Sequence, residues 1–241
     1  MKKRADAGYN ERLFSSGFRK RLHLARFAWL AASVKRLNCP PERVLELGCF
    51  DGKALEYLPR RPTRYLGLDA DWEGGLELAQ AKWGGDPHLA FRECHAPEEM
   101  RLNGERFDIA ICMDTLEHVP PEMLSAYLAE LAGAASRIFV TVPNEKGIVF
   151  CGKYLAKKLL GGDAQPYSLR EFLAAARGRL DRVARNEHKG FDYARFLQAF
   201  SQYADIVSVT GYPFARLPLF LNFGIGVVGK TRNRPVIETP L

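Results

Sequence analysis

The sequence predicts an α/β fold: a doubly wound, mostly parallel sheet with an N-terminal helix before it and a helical cap inserted into it. Three observations carry that expectation. From residue 43 onward, short apolar runs alternate with helical stretches. The first apolar run ends in a glycine-containing turn, "ELGCFDG". Residues 11–37 and 146–190 have helical character with no clear strand. Apolar strands alternating with helices call for a parallel sheet covered on both faces, and the right-handed crossover rule arranges the helices on its two sides.

The elements follow in order along one domain spanning residues 1–241. Residues 1–40 are the N-terminal helical segment. Phe14, Phe18, Leu22, Ala25 and Trp29 recur at spacings of three and four, the mark of an apolar helix face. Arg12, Arg19 and Arg26 fall seven apart beside it, as a solvated face or as a lid that meets an anionic substrate. "NCPPE" ends the helix, because proline excludes helical geometry from the residue before it. Residues 41–145 form the cofactor-binding half. Its strands are "RVLELG", "RYLGLDA", "HLAFREC", "FDIAICM" and "SRIFVTV"; its helices are "GKALEYL", "WEGGLELAQAKW" and "PEMLSAYLAELAGA". Residues 146–190 break the rhythm with "GKYLAKKLLGG" and "SLREFLAAARGRL" and read as a cap over the sheet. Residues 191–241 resume it with the helix "FDYARFLQAFSQY" and the strands "ADIVSVTGY" and "GIGVVGKT".

Bulk properties bound the function. A chain of 241 residues with 47% hydrophobic and 26% charged residues is ordinary for a globular protein. No run approaches the roughly 18 apolar residues of a membrane span. "MKKRADAGYNERLF" has no apolar run behind its charge, so it is not a secretory signal. The five cysteines are scattered, with no CxxC pair, which suggests a cytoplasmic, reduced protein without disulfide or zinc framework. A net charge of +7 favours acidic partners: nucleic acid, anionic lipid or a phosphorylated metabolite.

The glycine turn discriminates among cofactors. A phosphate loop needs a hydroxyl after Gly52-Lys53, and Ala54 stands there. A dinucleotide fingerprint needs GxGxxG, but Gly48 is followed by Phe50 and Lys53 at the matching positions. S-adenosylmethionine needs an acid for its cationic amino acid end and a carboxylate for its ribose hydroxyls. Glu46, just before the turn, and Asp69, at the end of the second strand, are placed for those tasks, by the logic that puts an acid on the ribose of NAD.

With "VLELGCFDG", "YLGLDAD", "FDIAICMDTLEHVP" and "IFVTVPNE" in this order, the chain resembles the class I S-adenosylmethionine-dependent methyltransferases. More narrowly, it is similar to the methyltransferase type 11 and type 23 group that includes the ubiquinone-biosynthesis O-methyltransferases. The resemblance covers residues 43–145 well and 187–229 more loosely. It implies a seven-stranded sheet whose last strand, "GIGVVGKT", runs antiparallel beside "ADIVSVTGY". It also implies that Glu46, Gly48, Cys49 and Gly52 line the methionine part of S-adenosylmethionine, and that Asp69 and Ala70 meet its ribose and adenine. His95 and Ala96 would stand near the adenine edge and Met113 would close the pocket. Phe50 replaces a usual glycine and is expected beside the cofactor. His95 stands where an aspartate commonly contacts the adenine amine, which puts that hydrogen bond in doubt.

For the chemistry, methyl transfer needs an acceptor held in line, and a base if the acceptor is a hydroxyl. His118, just past the fourth strand, suits that role; His188, before the last core helix, is the second candidate. Glu117 could orient His118, but one acid and one histidine make no metal site, so none is expected. The acceptor is expected to be a small molecule, glycan or lipid intermediate, methylated at oxygen. The "NPPY" segment of amino-group DNA methylases is missing from "MDTLEH", and no RNA-binding module is present. Methylation of tRNA or another nucleic acid, and a silent cofactor-binding or interaction protein, are the alternatives. "IVFCGKYLAKKLL" and "YPFARLPLFLNFGIG" are apolar with basic flanks, as core, as the surface of a monomer or homodimer, or as a peripheral membrane contact for a lipid-linked acceptor.

Overall fold

The computed structural model describes residues 17–37, 40–159, 166–186 and 188–232. Its strands are β1 (Arg43–Leu47), β2 (Arg64–Asp69), β3 (Leu89–Glu93), β4 (Phe107–Met113), β5 (Ala135–Pro143), β6 (Ala204–Tyr212) and β7 (Gly224–Thr231). Its α-helices are α1 (Gly17–Val34), α2 (Gly75–Trp83), α3 (Pro121–Ala134), α4 (Gly147–Leu159), α5 (Leu169–Ala176) and α6 (Tyr193–Phe200). One sheet runs β3-β2-β1-β4-β5-β7-β6. β1 to β5 pair in parallel, and β7 lies antiparallel between β5 and β6. Strand order reverses between β1 and β4, so the crevice for a ligand opens at their carboxyl ends.

Two apolar layers hold the sheet. Successive residues of β4 alternate between them: Ile109, Ile111 and Met113 join the layer under α1, while Ala110 and Cys112 join the layer under α3 and α6. That alternation is the two-residue period of a strand buried on both faces. The α1 layer contains Phe27, Leu30 and Val34 with Tyr65 and Phe139. The opposite layer contains Tyr127, Leu128, Leu131, Phe196 and Phe200. The cap, α4 with α5 and the turn after it, has its own small core of Phe150, Ala174, Ala175, Leu180 and Val183. Among the described residues, no helix is long and apolar enough to cross a membrane.

Three local expectations change. "GKALEYL" forms only a 3-10 turn, Lys53–Tyr57, because Gly52 enters it at φ 70° and Leu58, before Pro59, is already extended. Too few residues remain for a stable α-helix. In α1 the inward face is Phe27, Leu30 and Val34, with Trp29. Of the residues expected to form that face, Leu22 and Ala25 are only partly buried, Phe14 lies outside the described residues, and nothing is described of the Phe18 side chain. Arg26 is buried rather than part of a solvated stripe, while Arg12 lies outside the described residues.

Trp29 explains how α1 is seated. Its indole N–H donates to Thr210 Oγ1 at 2.7 Å, and its ring lies against the bare backbone of Gly226, where a Cβ would come within 2.1 Å of it. Gly226→Ala is therefore expected to lower stability by about 1–3 kcal/mol through overpacking. Urea unfolding measures this; an unchanged midpoint would show that Trp29 does not lie on β7.

Candidate functional site

The site begins where β1 ends. The Gly48 and Cys49 N–H groups both donate to the Leu68 carbonyl, at 2.7 and 3.1 Å, which bends the chain sharply out of the sheet. Gly48 adopts φ 78°, and a Cβ there would stand 2.0 Å from Thr115 Oγ1, so the turn closes on the loop after β4 only with glycine. Phe50 takes φ 47°, the left-handed region that glycine favours. Its N–H donates to Asp69 Oδ2 at 2.8 Å, and its ring rests on Gly75, the first residue of α2. The residue that disrupts the dinucleotide motif thus keeps a glycine-like backbone and packs its ring on the next helix.

Glu46, Gly48, Cys49, Phe50 and Met113, five of the residues expected around a cofactor, line one cavity at this turn. Arg26, Phe27, Asp51 and Lys53 line it too, and sequence reasoning missed them. Glu46 is buried and accepts the Tyr65 hydroxyl at 2.5 Å. Burial pushes its pKa up to about 8; the Tyr65 bond and Arg26 oppose that rise, and Asp51 and Asp69 add to it. Arg26 reaches down from α1 to give Asp114 a 2.8 Å ion pair. Asp114 also accepts the Thr141 hydroxyl at 2.7 Å and the Tyr212 hydroxyl at 3.0 Å. Burial alone would raise the Asp114 carboxyl, but Arg26 and these bonds hold it below the ordinary range.

The remaining cofactor candidates do not line this cavity. Asp69 accepts the Asp71 N–H on Oδ1 at 2.8 Å and the Phe50 N–H on Oδ2. Each oxygen keeps a lone pair for a further donor. Gly52 stands at φ 70° beside Trp83; Ala70 and Ala96 are half-buried. His95 is exposed, with its ring 2.6 Å from Glu93. Asp108 accepts the Glu42 and Arg43 N–H groups at the start of β1.

A second group assembles next to the cavity. Glu117, His118 and His188 each offer a ligand atom, all within 4.8 Å of one another. The two imidazole rings meet edge to face with centroids 4.1 Å apart, and His188 Nδ1 lies 3.8 Å from Glu117 Oε1. Glu117 is fully buried and neither carboxylate oxygen has a hydrogen-bond partner. Burial, reinforced by Asp114, puts its carboxyl well above the usual carboxylate range. His188 is 39% exposed at its rim, but its Nδ1 is buried. Burial, with His118 beside it, pushes its pKa down to about 3, so it is neutral near pH 7. The sequence offered one acid and one histidine; the fold adds a second histidine from the far side of the cap. That donor set is compatible with a divalent cation.

Comparisons with known proteins agree with this architecture. Residues 44–136 match the family described as "Methyltransferase domain". The chain is 30% identical over 137 residues to the ubiquinone biosynthesis O-methyltransferase of Hahella chejuensis, covering 53% of this chain and 56% of that one. It is 28% identical over 145 residues to the enzyme of the same name from Leptothrix cholodnii, covering 57% and 60%. The chain thus spans little more than half the length of these curated relatives. Its fold matches a S-adenosylmethionine-dependent methyltransferase from Clostridium acetobutylicum with a TM-score of 0.59 at 12% identity, covering 92% of this chain and 96% of that one. It also matches the magnesium protoporphyrin IX methyltransferase of Synechocystis at 0.51 and 19% identity, over 92% of both. Residues 44–136 are thus similar to a methyltransferase domain, and the fold is the one seen in methyltransferase structures.

The raised pKa of Glu46 makes stability depend on pH with a definite sign. Between its ordinary 4.5 and about 8, the folded chain keeps a proton that the unfolded chain has released. Stability therefore falls as pH rises through that window, by about 1.4 kcal/mol per unit from this group. Glu46→Gln still accepts from Tyr65 and removes the dependence. Urea midpoints at about pH 5 and about pH 8 should show the variant gaining on the parent as pH rises. Parallel pH profiles would mean that Glu46 is ionised in the folded chain.

Proposed function

We propose that this chain transfers the methyl group of S-adenosylmethionine to an oxygen of a small-molecule or lipid-intermediate acceptor held at the Glu117–His118–His188 cluster. The observation that carries this reading is the adjacency of that cluster to the cavity of Glu46 and Arg26. Arg26 lines the cavity, and its partner Asp114 is close enough to act on both Glu117 and His188.

The residues fit the cofactor. Glu46 and Arg26 give the cavity one acidic and one basic wall, the complement of an amino acid's ammonium and carboxylate. Asp69 keeps acceptor capacity for ribose hydroxyls. When bound, S-adenosylmethionine supplies an electrophilic methyl group on a sulfonium centre. The protein's own part is to hold an acceptor oxygen in line and to manage its proton. His188, neutral near pH 7, and His118 present imidazole nitrogens for that purpose. Glu117, buried beside them, would complete the ligand set of a divalent cation, which would favour the ionised form of an acceptor hydroxyl. The cap, which carries His188 at its end, would supply the wall on the acceptor side.

Isothermal titration with S-adenosylmethionine tests the cofactor half. Glu46→Ala and Asp69→Ala are each expected to weaken binding by about ten- to hundredfold. If the parent binds nothing at millimolar cofactor, the proposal is wrong; if both variants bind normally, the residue assignment is wrong. Titration with Mn²⁺ or Zn²⁺ tests the acceptor half. Glu117→Gln and His188→Ala should abolish metal binding while leaving cofactor affinity unchanged. Metal binding that survives both changes would place the cation elsewhere.

A further inference from the structure

We propose that Arg185 receives a carboxylate on the methyl acceptor, which makes the acceptor a hydroxy acid, with its hydroxyl at the imidazoles and its carboxylate on the guanidinium. This rests on the reading that the acceptor is held at Glu117, His118 and His188.

Arg185 comes to the cluster beside His188 because the chain folds back on itself there. Asn186 and Lys189 exchange main-chain hydrogen bonds, the Asn186 N–H donating at 3.1 Å and the Lys189 N–H at 2.9 Å. Gly190 follows at φ 75°, and a Cβ there would stand 3.0 Å from the Val183 carbonyl oxygen, so glycine lets the turn close. The turn is tied to α5, where Glu171 accepts the Ala184 N–H at 3.2 Å and pairs with Lys189 at 2.8 Å. The Arg185 guanidinium lies 4.9 Å over the ring of Phe191, which is buried. Its Nη2 donates to the Glu117 carbonyl. The fork is thus held on one face by an aromatic ring and at one arm by a main-chain oxygen.

The other arm is unspent. Arg185 Nη1 is buried without a hydrogen-bond partner, like the Glu117 carboxylate oxygens and His188 Nδ1. A cation can answer the carboxylate and the imidazole, but a guanidinium N–H only donates and needs an acceptor. Leaving a buried donor unanswered costs free energy, and an anion answers a charged donor best. The acids nearby are committed elsewhere. Glu117 meets the guanidinium through its carbonyl, while burial raises the pKa of its carboxyl. Asp114 pairs with Arg26, Glu145 with Lys153 and Asp192 with Lys146. Lys157, exposed and one turn beyond Lys153 on α4, stands close enough to His188 to disfavour its protonation, as does Lys153. Arg185 and Lys157 therefore leave a surplus of positive charge around the cluster. A partly buried site with one free arm suits a carboxylate better than a phosphate dianion, whose desolvation costs more.

The test is isothermal titration of the full chain, with and without S-adenosylhomocysteine, using 4-hydroxyphenylacetate and its neutral counterpart 4-hydroxyphenylacetamide. The acid should bind at least about tenfold more tightly than the amide. Arg185→Gln should remove that preference by weakening the acid alone. Arg185→Lys should keep part of it, because the charge survives and the fork does not. Lys157→Gln, on the surface, should weaken the acid by about two- to threefold, and by less at raised salt. Cofactor titration on the same samples confirms that the variants are folded. Equal binding of acid and amide, binding of neither, or an Arg185→Gln protein that still prefers the acid would each overturn the proposal. If S-adenosylmethionine binds and the acid preference is missing, the hydroxy-acid inference fails alone. If the acid is preferred and S-adenosylmethionine does not bind, the methyl-transfer reading fails and the carboxylate site stands.

Discussion

The ion pair between Arg26 and Asp114 ties the architecture of this molecule together. Asp114 sits just past β4 at φ 52° and receives hydrogen bonds from α1, β5 and β6 through Arg26, Thr141 and Tyr212. One ionised carboxylate therefore fixes the N-terminal helix, the middle of the sheet and its far edge at a single point. Buried ion pairs are weak sources of net stability, because desolvation offsets attraction. Their contribution here is geometric: α1 can close the crevice in only one register, with Arg26 and Phe27 forming its roof.

Around that point the buried acids divide into two kinds. Asp114 has a cation and two hydroxyls and stays ionised. Glu46 has one phenol and is held neutral over most of the physiological range, and Glu117 has no hydrogen-bond partner at its carboxylate and is pushed in the same direction. Charge is thus settled where Arg26 meets the carboxylate and withheld where burial leaves a carboxyl without a cation. A neutral buried carboxyl is a stored preference for a cation, released when an ammonium or a metal arrives.

Much of the fold was legible because it is written in contiguous residues. The apolar runs of β1, β4 and β5 and the glycines at 48 and 52 signal themselves within a few positions, and β6 and β7 coincide with the stretches read as strands. Glu46, Gly48, Cys49, Phe50 and Met113, all close in sequence to the ends of β1 and β4, line one cavity. Arg26 was not legible, since its place in a seven-residue stripe suggested a solvated side; only the tertiary partner Asp114 turns it inward. The three-residue cluster was not legible either. His118 and His188 lie on segments joined by a whole helical insertion, and no local spacing announces that their rings will touch. The short turn at Lys53–Tyr57 was misjudged because its composition is helical while its flanks, Gly52 and Pro59, leave no room.

The separate core of the cap has a consequence for how such a protein changes over generations. Phe150, Ala174, Ala175, Leu180 and Val183 pack on one another and not on the two layers of the sheet. A substitution among them is answered by its immediate partners, while the strands of the sheet are left undisturbed. The family match ends at residue 136, before the cap begins. The cap can therefore be repacked from within while the two layers beneath it keep their own contacts.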